Sequence, residues 1–359
     1  MEKSLQIGLD KIELDNFGVL EKDMEHLRTL ETMTGKVSID GAGGTRVYLI
    51  HIKDNSVFGD LLIGCSQYGN RRIHYTSLSL TPTNVRGHNC DNLTWAEYDK
   101  YLQYVMTYIR RKYRIHLKHD NKRIKYMEIN CNIPLCAPYT EYDRSVRLMM
   151  SFLPKTLRSD YVQRSNPKKD DNTYLRGNQR MAVTIYNKSA QMRQKNPEYK
   201  QEEPGDLLRL VLRLKDPQKI ESALGSSVWA RLNDDVIKEW YLSYANQKIA
   251  VKYMEWKKKR RNELTRLIRE LRNEQPKTWH HLTMQHVRNR SEAAGVPYIL
   301  DVEQVVEALY QLPDPHGNHS RARKALMGIR IENDLYHRRD QARIEEILNW
   351  FASSDGLPK

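Results

Sequence analysis

The stretch MAVTIYNKSAQM, residues 181–192, places a tyrosine and a lysine at the end of an apolar run. Side chains alternate between the two faces of a strand, so Thr184 and Tyr186 share one face, and Lys188 joins them if the strand continues. A tyrosine hydroxyl is a nucleophile for phosphoryl transfer when a neighbouring group activates it. Two interpretations of Tyr186 are therefore open, an ordinary strand aromatic or a nucleophile with a lysine beside it.

Two other strand-like segments carry polar groups of the kind that phosphoryl transfer needs. IKYMEINCNI (124–133) puts Glu128 on a polar face, and DLLRLVLRLK (206–215) puts Arg209 and Arg213 on a mixed one. A tyrosine, a carboxylate and arginines on one sheet face suit attack on a phosphate that a metal and cationic groups neutralise. The same alternation is also typical of an antiparallel sheet with one face packed on helices and the other in solvent.

The elements that position these residues come in two cycles. Three strands are predicted within residues 46–82, followed by a helix from Thr94 that begins with a capping box completed by Glu97. In the second cycle a strand, a helix over 140–154 and further strands follow, with a two-residue hairpin turn at Gly177-Asn178. The pattern predicts an α+β fold with two related antiparallel-sheet-plus-helix halves, residues 40–115 and 124–215.

After about residue 217 the pattern becomes helical and strongly basic. Residues 250–290 hold twelve Lys or Arg against four Glu, and NRSEAAGVPYILDVEQVVEAL resembles a helix–turn–helix around Gly295. We therefore predict a catalytic domain over 1–220 and a basic, helical, DNA-binding domain over 221–359. The residues of the basic run are Lys257, Lys258, Lys259, Arg260 and Arg261. A solvated charged helix is the alternative interpretation of this run.

Composition indicates a polyanionic partner. The chain of 359 residues has a formal net charge of +14, and its 21 Tyr against 4 Phe suit stacking on the bases of a single strand. Four cysteines are too sparse for a disulfide framework and predict reduced thiols rather than a zinc site. No apolar run is long enough to span a membrane and no signal peptide is recognisable, so we expect a cytoplasmic protein.

Four motifs in order resemble the filamentous-phage gene II family of rolling-circle replication initiators, which also occurs on plasmids. SLTPTNVRGHN (79–89) is similar to the family's segment ending in Gly-His-Asn, and KYMEINC (125–131) to its strand ending in Ile-Asp. QRMAVTIYNKSAQ (179–191) resembles its Tyr-x-Lys motif, and LLRLVLRLK (207–215) its Leu-Arg-x-Glu strand. The resemblance covers about half of the chain.

The resemblance implies an enzyme that nicks and rejoins origin DNA with a divalent metal, Mg²⁺ or Mn²⁺. Tyr186 would be the nucleophile and would stay joined to the 5′-phosphate, while a polymerase extends the freed 3′-hydroxyl. Lys188 would lower the pKa of the phenol or stabilise the pentacovalent charge. Glu128 would be a metal ligand in place of the family's Asp.

Gln191 and Val211 depart from the family pattern, which has Glu at both places. Gln191 still offers an oxygen to a hard cation, so we predict it as the second metal ligand. Val211 offers none, and a carboxylate at 202, 203 or 206 could substitute. A non-enzymatic origin- or operator-binding protein with a decayed metal site is thus the alternative to the nicking enzyme, and a basic RNA-binding protein is a third hypothesis.

The remaining predicted DNA contacts are Arg209, Arg213, His88 and Asn89, with His88 otherwise a histidine that supports a turn. No His-x-His pair lies on a predicted strand, which argues against the other class of rolling-circle enzymes, whose metal is held by such histidines. The glycines at 41–44 lack the Lys-Ser/Thr ending of a phosphate-binding loop, so a separate host helicase is implied.

Overall fold

The computed structural model describes residues 5–15, 17–19, 45–82, 93–118, 122–157, 161–164, 172–195, 206–274, 278–279, 281–282, 320–321, 324 and 338–352. Within these ranges the fold is α+β, with one large antiparallel sheet and seven α-helices. The predicted α+β class is confirmed.

The strands and helices follow one another with two 3-10 turns and a π-helical turn between them. The strands are β1 (Ile7–Asp15), β2 (Gly18–Val19), β3 (Thr45–Lys53), β4 (Asp60–Tyr68), β5 (Arg71–Leu80), β6 (Leu117–Lys118), β7 (Arg123–Pro134), β8 (Tyr161–Arg164), β9 (Asn172–Gly177), β10 (Met181–Asn187) and β11 (Leu207–Leu214). The helices are α1 (Trp95–Tyr113), α2 (Asp143–Phe152), α3 (Lys188–Lys195), α4 (Pro217–Leu224), α5 (Asp234–Ala245), α6 (Val251–Arg272) and α7 (Arg338–Ala352).

Nine strands form one sheet in the order β3-β4-β5-β1-β7-β11-β10-β9-β8, and β2 pairs with β6 separately. Every pairing is antiparallel. The strands of both predicted cycles therefore lie in one sheet, and β1, for which the sequence pattern predicted no strand, lies between them.

The two faces of the sheet differ sharply in polarity. On β7, Met127, Ile129 and Cys131 are completely buried in a core that the helices share. The hydroxyl of Tyr241 on α5 reaches through this core and donates to the carbonyl of Leu210, 2.9 Å away. The intervening residues of β7 point to the opposite face, where the polar side chains gather.

The predicted capping box at the start of α1 is confirmed. The Thr94 side chain accepts from the backbone N–H of Glu97, and the Glu97 carboxylate accepts from the backbone N–H of Thr94. The carboxylate of Asp234, in the first turn of α5, accepts from the backbone N–H groups of Trp95 and Ala96. A helix beyond residue 220 therefore helps to satisfy the N-terminal N–H groups of α1.

Helix α7 is held by charged and polar contacts against α2 and against the 3-10 turn Tyr139–Tyr142 that precedes it. Ser145 donates to the carbonyl of Asp340 over 2.8 Å, and Arg343 lies 2.9 Å from the carboxylate of Glu141. Buried side chains of α5, α6 and α7 belong to the same hydrophobic core as the sheet. The predicted division at residue 220 stays a prediction.

The predicted Gly177-Asn178 turn is wrong in its register. Gly177 is the last residue of β9 and pairs with Ala182, so the loop comprises residues 178–180. Asn178 closes that loop, because its side-chain oxygen accepts from the backbone N–H of Arg180 and of Met181. A Cβ atom at Gly177 would lie 2.8 Å from that of Ala182, so close approach of the strands, not turn geometry, requires glycine.

Candidate active site

Tyr186 lies at the point where β10 ends and α3 begins. Asn187 is the last residue of the strand, and its side-chain oxygen accepts from the backbone N–H of Ala190, 3.0 Å away, which satisfies one N–H group of the first helical turn. Asp206 holds the Asn187 amide in turn, at 3.2 Å. The strand therefore stops one residue after Tyr186.

A cleft of about 300 Å³ opens beside Tyr186 on the polar side of the sheet. Its walls come from β1, β7, β9, β10, α3 and β11. The lining residues are Asp10, Glu128, Thr173, Thr184, Tyr186, Asn187, Ala190, Gln191, Gln194 and Arg213. Four of the residues predicted from the sequence, Tyr186, Glu128, Gln191 and Arg213, thus line one cleft.

The cationic partner of Tyr186 is Arg209. The two residues are directly opposite each other on β10 and β11, and the guanidinium is close enough to the phenolic oxygen to lower the pKa of the phenol. Arg209 is only 1% exposed; its Nε donates to Asn132 over 2.7 Å, and a terminal nitrogen lies 3.4 Å from a carboxylate oxygen of Asp10. Arg209 is thus buried and paired in the free protein, and its predicted role as a DNA-binding residue stays a prediction.

The pKa of Tyr186 is raised above the ordinary tyrosine value. Burial is the largest cause, since it disfavours the charged phenolate. The Arg209 guanidinium lowers the pKa, whereas the negative charges of Asp10 and Glu128 raise it. The Tyr186 hydroxyl is therefore neutral at pH 7 in the free protein, and Arg209 is the group that favours its ionisation.

Lys188 does not extend the strand face of Tyr186, because it is the first residue of α3. Its side chain is 1% exposed, and the ammonium donates to the amide oxygen of Gln191 over 2.8 Å. Lys188 is not among the side chains that line the cleft, but Gln191 is. Its contact with the cleft therefore runs through Gln191.

Glu128 is held by its neighbours. Arg213, directly opposite on β11, donates from Nε to a carboxylate oxygen of Glu128 over 2.9 Å, and the hydroxyl of Tyr126 donates to the same oxygen. A terminal nitrogen of Arg213 donates to the Thr184 hydroxyl at 2.6 Å. Arg213 is 24% exposed in its side chain, so part of the guanidinium is accessible from the cleft.

Asp10 is a site residue that sequence reasoning missed. Leu9 pairs with Ile129 and Ile12 with Met127, so two residues of β1 stand opposite the single residue Glu128. This β-bulge brings the Asp10 side chain into the cleft, in keeping with the frequent occurrence of bulges beside active sites. The bulge also breaks the period-two alternation of IGLDKIELD, which is why the strand and its carboxylate were not recognised.

Val211 replaces the second expected carboxylate with a buried apolar side chain. It is 1% exposed and pairs with Thr184 on β10 and with Asn130 on β7. Asp206, one of the suggested substitutes, instead binds Asn187, Arg193 and the backbone of Tyr139. Positions 202 and 203 lie outside the described residues.

The donors in the cleft fit a weakly held hard cation. No group of three His, Cys, Asp or Glu side chains within the described ranges could hold a metal ion. Asp10 and Glu128 nevertheless supply two carboxylates and Gln191 an amide oxygen in one cleft. Mg²⁺ commonly binds through one or two carboxylates and completes its shell with water and substrate phosphates, so this set fits an ion that the substrate helps to hold.

The predicted DNA contacts outside the cleft are only partly described. His88, Asn89 and the segment around Gly295 lie outside the described residues, as do the side chains of Arg260 and Arg261. Lys257 pairs with Glu345 on α7 over 2.6 Å, so it helps to hold two helices together. Lys258 and Lys259 are exposed on α6.

Comparison with known proteins adds no family. No family model matches the chain, and no curated protein matches it. In the part of the chain that is described, no helix combines the length and apolarity needed to cross a bilayer.

Proposed function

We propose that this protein initiates rolling-circle DNA replication by nicking and rejoining origin DNA through Tyr186. The observation that carries the proposal is the contact between Tyr186 and Arg209 beside a cleft that also holds two carboxylates. Packing alone does not account for an open cleft beside a buried tyrosine and a guanidinium. The combination suits attack on a phosphodiester, whose charge the arginines offset.

In the proposed reaction the Tyr186 oxygen attacks the phosphorus and the bond from phosphorus to the 3′-oxygen breaks, while the phenolic proton passes to solvent and the departing 3′-oxygen takes up a proton from solvent. The product is a 5′-phosphotyrosine and a free 3′-hydroxyl; attack by a 3′-hydroxyl reverses the step and reseals the strand. Arg209 holds the phenolic oxygen and stabilises its developing negative charge. Arg213 faces the cleft and is available to a phosphate oxygen.

Asp10, Glu128 and Gln191 are the residues that would hold Mg²⁺ or Mn²⁺. Such an ion polarises a phosphate oxygen and lowers the barrier to displacement. Asp10 would supply the second carboxylate, which Val211 cannot offer. Lys188 then acts as a positioning residue, since it fixes the amide oxygen of Gln191.

The proposal extends to the finer architecture. From the centre of the sheet outward, the order is β1-β5-β4-β3 on one side and β7-β11-β10-β9 on the other. In each of these sets of four, the strand that comes first in the chain lies at the centre. The fourth strand lies next to it, followed by the third and then the second. This correspondence supports two related halves and a possible gene duplication. The basic helices after residue 220 would contact origin DNA, and a host helicase and DNA polymerase in the bacterial cytoplasm would continue replication.

A second candidate is a non-enzymatic origin-binding protein. Two observations favour it, the valine at 211 and the Arg213–Glu128 ion pair, in which a guanidinium takes the place of a metal at the carboxylate. Such a protein would keep the charged cleft for phosphate binding. It would form no covalent bond with DNA.

The deciding experiment is a nicking assay on supercoiled plasmids that carry segments of the genetic element encoding this chain. We expect the protein with Mg²⁺ or Mn²⁺ to produce open circles and a covalent protein–DNA adduct. Tyr186→Phe should lose both products, whereas Gln103→Ala, at an exposed residue of α1 outside the cleft, should keep them. Origin binding without an adduct under either metal would establish the second candidate.

A further inference from the structure

The outer face of α1 carries a stripe of tyrosine and basic side chains. Lys100, Tyr104, Tyr108 and Arg111 recur at intervals of four, four and three residues, so they lie along one side of the helix. The opposite side of α1 packs into the core through residues such as Leu102. We call these four residues the tyrosine stripe.

The two rings of the stripe form a fixed aromatic pair. Their centroids are 6.4 Å apart with an interplanar angle of 31°. Tyr108 is anchored at its far end, because its hydroxyl donates to Asp54 over 2.8 Å and the Lys112 ammonium lies 5.0 Å from its ring centroid. Tyr104 lies one helical turn earlier, and its ring is exposed to solvent.

Tyr104 is exposed to an extent that packing does not explain. It is 53% exposed, and among the described residues it is the one aromatic side chain in the group of exposed large hydrophobics, beside Val251 and Met254. A tyrosine presents a flat apolar ring that a nucleobase can cover without any hydrogen-bond readout. Tyr104 is therefore in position to stack with a base.

The charges around the stripe favour an anion. Lys100 and Arg111 are exposed on either side of the tyrosine pair. The carboxylates of Glu97 and Asp54 already have partners within the protein. Glu97 completes the capping box of α1, and Asp54 binds Lys112, Tyr108 and Tyr113. A partner that combines flat rings with regularly spaced negative charges matches this surface.

We propose that the tyrosine stripe binds single-stranded nucleic acid, with bases stacked on Tyr104 and Tyr108 and phosphates held by Lys100 and Arg111. Helix α1 packs on the side of the sheet that carries the hydrophobic core, whereas the Tyr186 cleft opens on the polar side, so the stripe is a second site. Its binding does not depend on nicking and stands whether or not Tyr186 is a nucleophile. The net charge of +14 adds a general electrostatic attraction to the phosphates of a nucleic acid.

Fluorescence anisotropy with a labelled oligothymidine of about 12 nucleotides tests the stripe directly. Tyr104→Ala should weaken binding about tenfold, while Tyr104→Phe, which keeps the ring, should bind like the unmodified protein. Gln103→Ala, an exposed neighbour on α1, is the matched control and should change nothing. The double variant Lys100→Gln, Arg111→Gln should reduce the slope of log affinity against log salt by about 1.4, which is the expectation for two lost phosphate contacts.

Photocrosslinking with bromodeoxyuridine in the oligonucleotide, followed by mass spectrometry, should locate the adduct on the α1 peptide containing Tyr104. Equal affinity of Tyr104→Ala and the unmodified protein, or crosslinks confined to other segments, would overturn the proposal. Loss of self-association in Tyr104→Ala with unchanged oligonucleotide affinity would also overturn it, since the stripe would then be a contact between copies of the chain.

Discussion

Arg213 and Glu128 face each other on β11 and β7, joined by a hydrogen bond of 2.9 Å from the guanidinium Nε to the carboxylate. The carboxylate that a metal would need is thus already bound to a cation. A phosphate entering the cleft would compete with Glu128 for Arg213, and a metal would compete with Arg213 for Glu128. Metal and DNA are therefore expected to bind cooperatively.

Removal of the guanidinium should expose this competition. We expect Arg213→Gln to bind Mn²⁺ about tenfold more tightly than the unmodified protein in the absence of DNA, because Glu128 is released. Isothermal titration calorimetry on the DNA-free protein measures the difference. Arg180→Gln, at an exposed arginine, is the control, and an unchanged Mn²⁺ affinity in Arg213→Gln would show that the ion does not use Glu128.

A carboxylate at position 191 should strengthen the metal site. Gln191 lines the cleft and already receives a hydrogen bond from Lys188, so Gln191→Glu introduces a negative charge next to a buried cation that pairs with it. We expect about tenfold tighter Mn²⁺ binding without loss of stability. Calorimetry and urea unfolding measure the two quantities, and Gln194→Glu tests whether any added charge in the cleft has the same effect.

Val211→Glu is a less useful restoration, even though the family pattern has a carboxylate there. The side chain is 1% exposed and is flanked by Thr184 and Asn130 on the neighbouring strands. The cations two residues away on β11, Arg209 and Arg213, are already paired with Asp10 and Glu128, so the new charge would be buried without a cation of its own. We expect a loss of about 3 kcal/mol in the free energy of unfolding. Urea unfolding of Val211→Glu next to Val211→Ala separates the cost of the charge from the loss of packing.

Arg209, rather than Lys188, should control the ionisation of Tyr186. The guanidinium lowers the pKa of the phenol, so Arg209→Lys, which places its charge less well, should shift the pH–rate profile of nicking to higher pH. Lys188→Gln should lower the rate without moving the profile. A fluorotyrosine at position 186, followed by fluorine NMR, gives the same comparison in a protein that does not nick, and an unshifted Arg209→Lys titration would contradict the assignment.

The polar half of the site was the harder part to predict from the sequence. Local patterns identified β3, β4, β5, β7, β10, β11 and the capping box of α1, because alternation and capping depend on residues close in the chain. The contacts of Tyr186 with Arg209 and of Arg209 with Asp10 depend on strand register, which joins residues far apart. Lys188 was assigned to the strand because the side-chain cap from Asn187 has no signature in alternation.

Buried tyrosines should make the fold sensitive to alkali. Burial raises the pKa of Tyr244 to about 12, and those of Tyr186 and Tyr241 are also raised. The folded pKa exceeds the unfolded value near 10, so this stabilisation is complete below pH 10 and is lost as pH rises through the folded values. Urea unfolding between about pH 9 and 12 should show constant stability up to about pH 10 and then a decline of roughly 1.4 kcal/mol per pH unit for each such tyrosine.

Tyr244→Phe offers a control for that decline. The Tyr244 hydroxyl is buried, and within the described ranges no group pairs with it. Its removal should therefore raise the free energy of unfolding by about 1 kcal/mol at pH 7 and make the alkaline decline shallower. A destabilised variant would mean that the hydroxyl has a partner.

The link between α5 and α1 should be measurable as helix-cap stability. Asp234→Ala removes the carboxylate that accepts from the first N–H groups of α1, and we expect a loss of about 1 kcal/mol in the free energy of unfolding. Thr94→Ala should cost about as much, since it removes the capping box. Asp235→Ala, at an exposed neighbour, is the control, and equal stability of both aspartate variants would show that the cap contributes nothing.

Strand β1 lies in the middle of the sheet, so the two sides of the sheet are connected through the first fifteen residues. β1 pairs on one side with β5 and on the other with β7, and among the described strands no other joins the two sides. In a polypeptide beginning after Asp15, the sheet would be divided into a three-stranded and a five-stranded part, and Asp10 would be missing. Translation from an internal start would thus yield a product with Tyr186 but without an assembled cleft. Mixing that product with a β1 peptide would test whether the missing strand can be supplied in trans.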